Sequence, residues 1–155
     1  MKRGILWMIA AVLLASSGMG VQLEHLRPVE VLYLYEDAGQ LALCTDTGEL
    51  GRGPDLQQAV ENLKTTTPGT LFLDTADQLI VTEETIWDMD AMWAFLRPAT
   101  EVCVAADPID PGTVAPYLAA HSPGVTMLDV KTQEKSIPIL RMTEERYWFE
   151  GESDF

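Results

Sequence analysis

The most constraining feature of the sequence is an uncharged segment of twenty residues, Gly4 to Leu23, which directly follows a lysine and an arginine. Its apolar centre, Ile5 to Ala15, has the length of the h-region of a secretory signal. The stretch from Ser16 to Gly20 supplies the small residues that a signal peptidase requires. We therefore expect residues 1–20 to direct export, so the folded body must be built from the rest of the chain.

A retained membrane anchor is the alternative, because twenty residues at a rise of 1.5 Å would just cross a hydrocarbon core of about 30 Å. Two triplets, Ala15-Ser16-Ser17 and Gly18-Met19-Gly20, resemble cleavage sites and favour removal of the segment. A lipoprotein signal ends in a cysteine, whereas this one continues into Gly18, which excludes lipid attachment there. In both remaining cases, secreted or anchored by its N-terminal segment, the body is expected outside the cytoplasm.

Charge limits the partners that this body can bind. The chain has 24 acidic and 10 basic residues, a net charge of −14, and without the two leader cations the net charge becomes −16. Such a charge repels phosphate backbones and anionic bilayers. We predict a protein partner, no nucleic acid, and membrane contact only through an uncleaved N-terminal segment. Cationic peptides, basic protein faces and divalent cations remain open, as does an acidic surface that serves solubility alone.

Apolar runs alternate with helix-start signals along residues 29–150 and predict one globular domain. The predicted strands are Val29–Tyr35, Gln40–Thr45, Thr70–Leu73, Leu79–Val81, Glu101–Ala105 and Thr126–Val130. Helices are predicted to start near Pro54, Thr82 and Asp110, and an edge hairpin is expected from Ile137–Met142 and Tyr147–Phe149. The order ββαββαβαβ, with a further ββ, predicts an α/β fold, mixed α+β, with a single mixed sheet flanked by about three helices. Residues 151–155 are expected to form an acidic tail.

The tripeptide Gly51-Arg52-Gly53 precedes a predicted helix and is compared with a phosphate-binding turn. The third glycine and the Lys-Ser/Thr ending of a P-loop are both missing, and Asp55 lies where an anion would approach. We therefore interpret the two glycines as part of a helix start with Pro54 at the first helical position. No cofactor is predicted.

Carboxylates and nucleophiles form no recognisable catalytic or metal-binding motif. Asp74 and Asp77 lack the spacing of a calcium loop, and Asp88 and Asp90 point in different directions on a helix. The sequence contains no G-x-S-x-G motif. We predict no catalytic residue and no metal site.

Cys44 and Cys103, the two cysteines of the chain, both lie in apolar runs and are interpreted as core residues. An oxidising compartment would permit a disulfide between them if their strands were neighbours. Both alternatives stay open from the sequence.

Four large apolar residues, Trp87, Met89, Met92 and Trp93, fall within the second predicted helix. Four such residues cannot all face one sheet at helical spacing. We predict that one of Trp87 and Met92 remains exposed and contacts a partner protein.

Several segments carry a family resemblance that covers about Val31 to Leu118. These segments are Gly53-Pro54-Asp55-Leu56-Gln57-Gln58-Ala59, Leu71-Phe72-Leu73, Leu79-Ile80-Val81, Glu83 and Val102-Cys103-Val104-Ala105. In them the chain resembles the N-terminal domain of Ger(x)C-type spore-germination receptor subunits. The chain departs from that family at Thr75, where a histidine is usual, and at Gly18, where the lipid-bearing cysteine would stand; the family's later domains lie outside the resemblance. The resemblance implies an exported, non-enzymatic domain that assembles with membrane proteins.

These observations together predict an exported, membrane-associated binding or accessory domain that acts through protein contacts at the outer face of the membrane. The alternatives are a small secreted enzyme of hydrolase type and a cation- or solute-binding protein. An enzyme would need a pocket in which titratable groups such as Asp74, Asp77, Glu83 or His121 converge.

Overall fold

The computed structural model describes residues 26–144 and 146–153, which form nine strands, four α-helices and two short 3-10 helices. The strands are β1 (Leu26–Pro28), β2 (Val31–Asp37), β3 (Gln40–Thr45), β4 (Leu50–Gly53), β5 (Thr70–Phe72), β6 (Gln78–Val81), β7 (Glu101–Ala105), β8 (Ile137–Met142) and β9 (Tyr147–Ser153). The helices are α1 (Leu56–Thr66), α2 (Met89–Met92), α3 (Pro111–Ala120) and α4 (Met127–Lys131), and the 3-10 helices are Leu73–Thr75 and Ile86–Asp88.

Seven strands form one mixed sheet in the order β4-β3-β2-β6-β7-β8-β9. The four central strands, β2, β6, β7 and β8, run parallel to one another. On one side β3 pairs antiparallel with both β2 and β4, and on the other side β9 pairs antiparallel with β8. Strands β1 and β5 form a separate two-stranded parallel sheet. The predicted mixed α/β fold is confirmed, and the second small sheet and the fourth helix are additions to it.

Both faces of the large sheet are covered, as the apolar character of the central strands requires. On the first face, α1 packs on β4 and β3, and its Leu63 shares one buried cluster with Met92 of α2 and Val81 of β6, all three fully buried. On the second face, α3 packs through Val114 and Leu118 against another buried cluster. The connections of the sheet therefore lie on opposite faces.

Helix α1 was predicted correctly because its cap and its apolar stripe are local features of the sequence. The Asp55 side chain caps the helix by accepting from the backbone N–H of Gln58 at 2.8 Å. The predicted apolar stripe of Leu56, Ala59, Val60 and Leu63 is buried throughout. Because Asp55 is the cap, Pro54 precedes the helix and does not occupy its first position, which corrects the predicted boundary.

The two glycines before α1 lie in a strand that the sequence analysis missed. Gly51 and Gly53 belong to edge strand β4, and α1 lies directly on their backbone. A Cβ atom on Gly51 would lie 2.2 Å from the carbonyl oxygen of Ala59 and 2.5 Å from the Cβ of Leu63. Close helix–strand packing therefore explains these glycines, and the interpretation as a helix start was wrong.

The β3–β4 turn is held by a partly buried acid, Glu49. Its carboxylate accepts hydrogen bonds from the hydroxyls of Thr45, at 2.5 Å, and Thr47, and from the guanidinium of Arg27 on β1, at 2.6 Å. Burial alone would raise the pKa of Glu49, but these hydrogen bonds outweigh it and lower the pKa from 4.5 to about 2. An ionised Glu49 thus ties the small sheet to the large one.

Three further predictions are corrected by the structure. The segment predicted as strand Thr126–Val130 is helix α4, which begins with a capping box between Thr126 and Asp129. The long second helix is broken into a 3-10 turn and the four-residue α2. Residues 151–153, expected in an acidic tail, belong to strand β9, and residues 154–155 lie outside the described residues.

The predicted export segment, residues 1–20, lies outside the described residues. Among residues 26–144 and 146–153, no helix is long and apolar enough to cross a membrane.

Candidate functional site

A crevice of about 940 Å³ opens where the parallel strands end. The β2–β3 hairpin, the segment after β6 and the segment after β7 contribute to its walls, together with Ile139 and Arg141 of β8. In open α/β sheets, the carboxyl ends of parallel strands are the usual place for a binding site. A volume of this size is enough for several side chains of a ligand.

The crevice exists because the chain leaves β6 and β7 toward opposite faces of the sheet. After β6 it turns to the first face, where Ile86 and Met89 are buried. After β7 it crosses the second face, where Ile109 and Val114 are buried. The two loops therefore separate, and the strand ends between them stay uncovered.

Two stacked tyrosines on β2 form one wall of the crevice. Tyr33 and Tyr35 are two residues apart, so their side chains lie on the same face of the strand. Their ring centroids are 4.7 Å apart with an interplanar angle of 22°. Tyr33 is buried and Tyr35 is half-buried, so Tyr33 holds the pair in the core while Tyr35 reaches the opening.

The Tyr33 hydroxyl is fixed by the chain that follows β7. Burial raises its pKa, and a hydrogen bond with the backbone of Ile109 opposes that rise. Burial also raises the pKa of Tyr35. Both phenols are therefore neutral at physiological pH and present uncharged aromatic rings to the crevice.

The rim of the crevice is acidic. Four carboxylates line it: Glu36 from the hairpin, Glu83 and Glu84 after β6, and Asp107 after β7. The basic residue in its wall, Arg141, donates from Nε to the carboxylate of Glu150 at 2.6 Å. The crevice thus carries a net negative charge on three separate segments, which favours a cationic ligand.

The segment that carries Glu83 and Glu84 is held in place by a buried threonine. The Thr85 hydroxyl donates to the carbonyl of Leu34 at 2.9 Å and accepts from the backbone N–H of Thr82 at 3.0 Å. Hydrogen bonds from the backbone N–H of Glu84 and from the Thr82 hydroxyl hold the pKa of Glu84 below its ordinary value. The rim is therefore attached to β2, the strand that carries the tyrosines.

Of the two residues predicted as partner contacts, the structure exposes one. Trp87 is 77% exposed, while Met92 is fully buried against the first face of the sheet. Trp87 falls in the 3-10 turn and Met92 in α2, so the break in the predicted helix decides which side chain turns inward. The prediction that one residue of this pair stays exposed is confirmed, and that residue is Trp87, whereas Met92 is buried in the core.

Of the two alternatives left open for the cysteines, the disulfide is excluded by the order of the strands. Cys44 on β3 and Cys103 on β7 lie in one row across the second face, but Tyr33 and Ile80 lie between them. Three strand spacings of about 4.8 Å separate the two cysteines by roughly 14 Å, twice what a disulfide can span. Both thiols are free, and burial raises the pKa of each.

The four groups considered for an enzyme site do not converge. Asp77 pairs with Arg97 at 2.7 Å at the start of β6, whereas Glu83 follows the end of that strand. Asp74 is exposed in a 3-10 turn, and His121 stacks on Tyr117 at the end of α3. Within the part of the chain that the structure describes, no group of three or more His, Cys, Asp or Glu side chains could hold a metal ion.

Most residues of the crevice were not predicted from the sequence. Glu36, Glu84, Asp107 and Arg141 were not singled out, and the two tyrosines were interpreted only as strand residues. A usable signal was present, since Thr82–Glu84 and Ala106–Pro108 each follow directly on a buried strand. These segments would have indicated a site if their strands had been known to be parallel neighbours.

Compared with protein-family models, with curated proteins and with solved structures, the chain matches none of them.

Proposed function

We propose that this chain is an exported, non-enzymatic accessory domain that binds a basic segment of a partner protein at the outer face of the membrane. The observation that supports the proposal best is the crevice. It combines an aromatic wall with four carboxylates, and the arginine in its wall is already paired with Glu150. Charge complementarity of this kind accelerates the encounter with a cationic partner and selects against acidic ones.

Two features of the sequence support the location and the type of function. The leader pattern in residues 1–20 supports export. The resemblance of Val31 to Leu118 to the germination-receptor domain supports assembly with membrane proteins. The position of Trp87 near the same loops offers an apolar contact for such a partner.

Binding is tested by neutralising the rim. The full chain is titrated by calorimetry with an acetylated, amidated peptide of alternating glycine and lysine, and with the corresponding glutamate peptide. We expect binding of the lysine peptide alone, weakened by salt. The triple variant Glu83→Gln, Glu84→Gln, Asp107→Asn should lower the affinity about tenfold.

A matched control separates the crevice from the overall charge. The variant Glu61→Gln, Asp74→Asn, Glu134→Gln removes the same number of charges from exposed positions elsewhere. It should change the affinity less than about twofold. Equal losses in both triple variants would mean that the peptide responds to net charge alone, and the crevice would not be the binding site.

Export is tested separately by N-terminal sequencing of the protein recovered from its native host. We expect a mature start near the predicted cleavage triplets, or an intact leader in the membrane fraction. An intact N-terminus in the cytosolic fraction would contradict export.

A further inference from the structure

We infer that the crevice selects arginine over lysine in the partner's basic segment, with the guanidinium lying on the ring of Tyr35 between the carboxylates of the rim. This inference rests on the proposed function and specifies the chemistry of its ligand. It commits to an arginine side chain of an extended protein segment.

The aromatic wall favours a planar cation. Tyr35 is half-buried, and one side of its ring is packed against Tyr33 at 4.7 Å between centroids. Because Tyr33 is buried and hydrogen-bonded to the backbone of Ile109, the two stacked rings are fixed in position before a ligand binds. A planar guanidinium stacks on such a ring and is weakly hydrated, whereas an ammonium is compact and strongly hydrated.

The carboxylates are placed around the opening. Glu36, Glu83, Glu84 and Asp107 stand on three segments. A guanidinium has five N–H donors in one plane, so it can meet carboxylates on different sides while its face rests on a ring. An ammonium has three donors and no flat face, so it pairs with fewer of the separated carboxylates while it lies over the ring.

The arginine already present in the wall is paired with Glu150. Arg141 lies in the wall of the crevice, and its Nε donates to Glu150, which is not one of the rim carboxylates. Arg141 is therefore paired outside the rim, and the four carboxylates stay available to a cation from the partner. An incoming arginine is held on the side of the crevice formed by β2, away from Arg141.

The test compares two peptides that differ only in the cation. The full chain is titrated with acetylated, amidated peptides of alternating glycine and arginine, or glycine and lysine, of equal length. We expect the arginine peptide to bind about five- to tenfold more tightly, the range that a cation–π contact supplies. Equal affinities for the two peptides would overturn the inference.

Two variants locate the preference on the ring. Tyr35→Leu retains an apolar side chain and should reduce the preference for arginine to below about twofold while leaving lysine binding nearly unchanged. Tyr147→Leu, at a half-buried tyrosine on β9 outside the crevice, should keep the full preference. Urea unfolding of both variants verifies that they are folded.

The possible failures are distinguishable. A preference for arginine that persists in Tyr35→Leu would show that the ring does not carry it, and the inference would be wrong. Equal binding of both peptides, abolished by neutralising the rim, would overturn the inference and leave the proposed function intact. Binding of neither peptide would overturn both.

Discussion

Replacing Gly51 by alanine tests the packing of α1 on edge strand β4. The new Cβ would lie 2.2 Å from the Ala59 carbonyl oxygen, 2.5 Å from the Leu63 Cβ and 2.6 Å from the Leu63 nitrogen. Two of these three atoms are backbone, so no rotamer change relieves the overlap. The helix must move by about 1 Å to reach an ordinary contact distance of about 3.5 Å. Such overpacking costs about 1–3 kcal/mol or more, and the lower chain entropy of alanine in the unfolded state offsets up to about 1 kcal/mol.

We therefore expect Gly51→Ala to lower the free energy of unfolding by about 2 kcal/mol, measured by urea denaturation at an unchanged m value. Arg52→Ala is the control, because Arg52 lies between the two glycines but its side chain is exposed and pairs only with Asp37 at the surface. It should cost less than about 1 kcal/mol. A Gly51→Ala protein as stable as the wild type would show that α1 does not lie against β4 as described.

Two further predictions concern stability. Glu49 has a pKa of about 2 in the fold against 4.5 when unperturbed, so its ionised form stabilises the protein above pH 4.5, and that contribution is lost as the pH falls through about 2. Glu49→Gln should thus lower the free energy of unfolding by about 1–2 kcal/mol at pH 7, a figure reduced to allow for solvent screening, and should not lower it near pH 2. A loss of stability that does not change with pH would refute this. Met92→Ala should cost about 3 kcal/mol in urea unfolding, whereas Trp87→Ala should cost less than about 0.5 kcal/mol, and similar costs would contradict their opposite burial.

Elements with local signals were predictable from the sequence. The β2–β3 hairpin has two apolar strands around Ala38 and Gly39, which both adopt a positive φ in the tight turn. Two local signals predict the start of helix α3. The Asp110 side chain accepts a hydrogen bond from the backbone N–H of Gly112, and Pro111 lies in the first turn. In each case a few neighbouring residues determine the backbone, so no knowledge of the fold was needed.

Two elements were mispredicted for different reasons. Thr126–Val130 was predicted as a strand, but a local capping box between Thr126 and Asp129 and the packing of Met127 on the first face favour a helix. Strand β4 has two glycines in four residues, a poor strand sequence, and forms by pairing with β3, while the missing Cβ atoms let α1 pack closely on it. At β4, tertiary packing overrides local propensity.

The crevice could not be predicted from the sequence, because the order of the strands in the sheet brings its lining segments together. The segments that end β2, β6 and β7 are separated by more than twenty residues from one strand to the next in the chain, and only the parallel pairing brings them to one edge. The same order places Cys44 and Cys103 three strands apart. A sequence pattern that identifies strands without their neighbours can therefore neither assemble the site nor exclude the disulfide.

The position of the crevice separates binding from stability in this fold. Glu83 and Glu84 are exposed and Asp107 is half-buried in the loops after the strands, so neutralising them should change ligand affinity with little effect on the stability of the sheet. Tyr33 is different, because its ring is part of the buried second-face cluster, and a change there would lower stability as well. The half-buried ring of Tyr35 packs against the second-face cluster on one side and faces the opening of the crevice on the other. It is therefore the residue at which the aromatic contribution to binding can be measured while the domain stays folded.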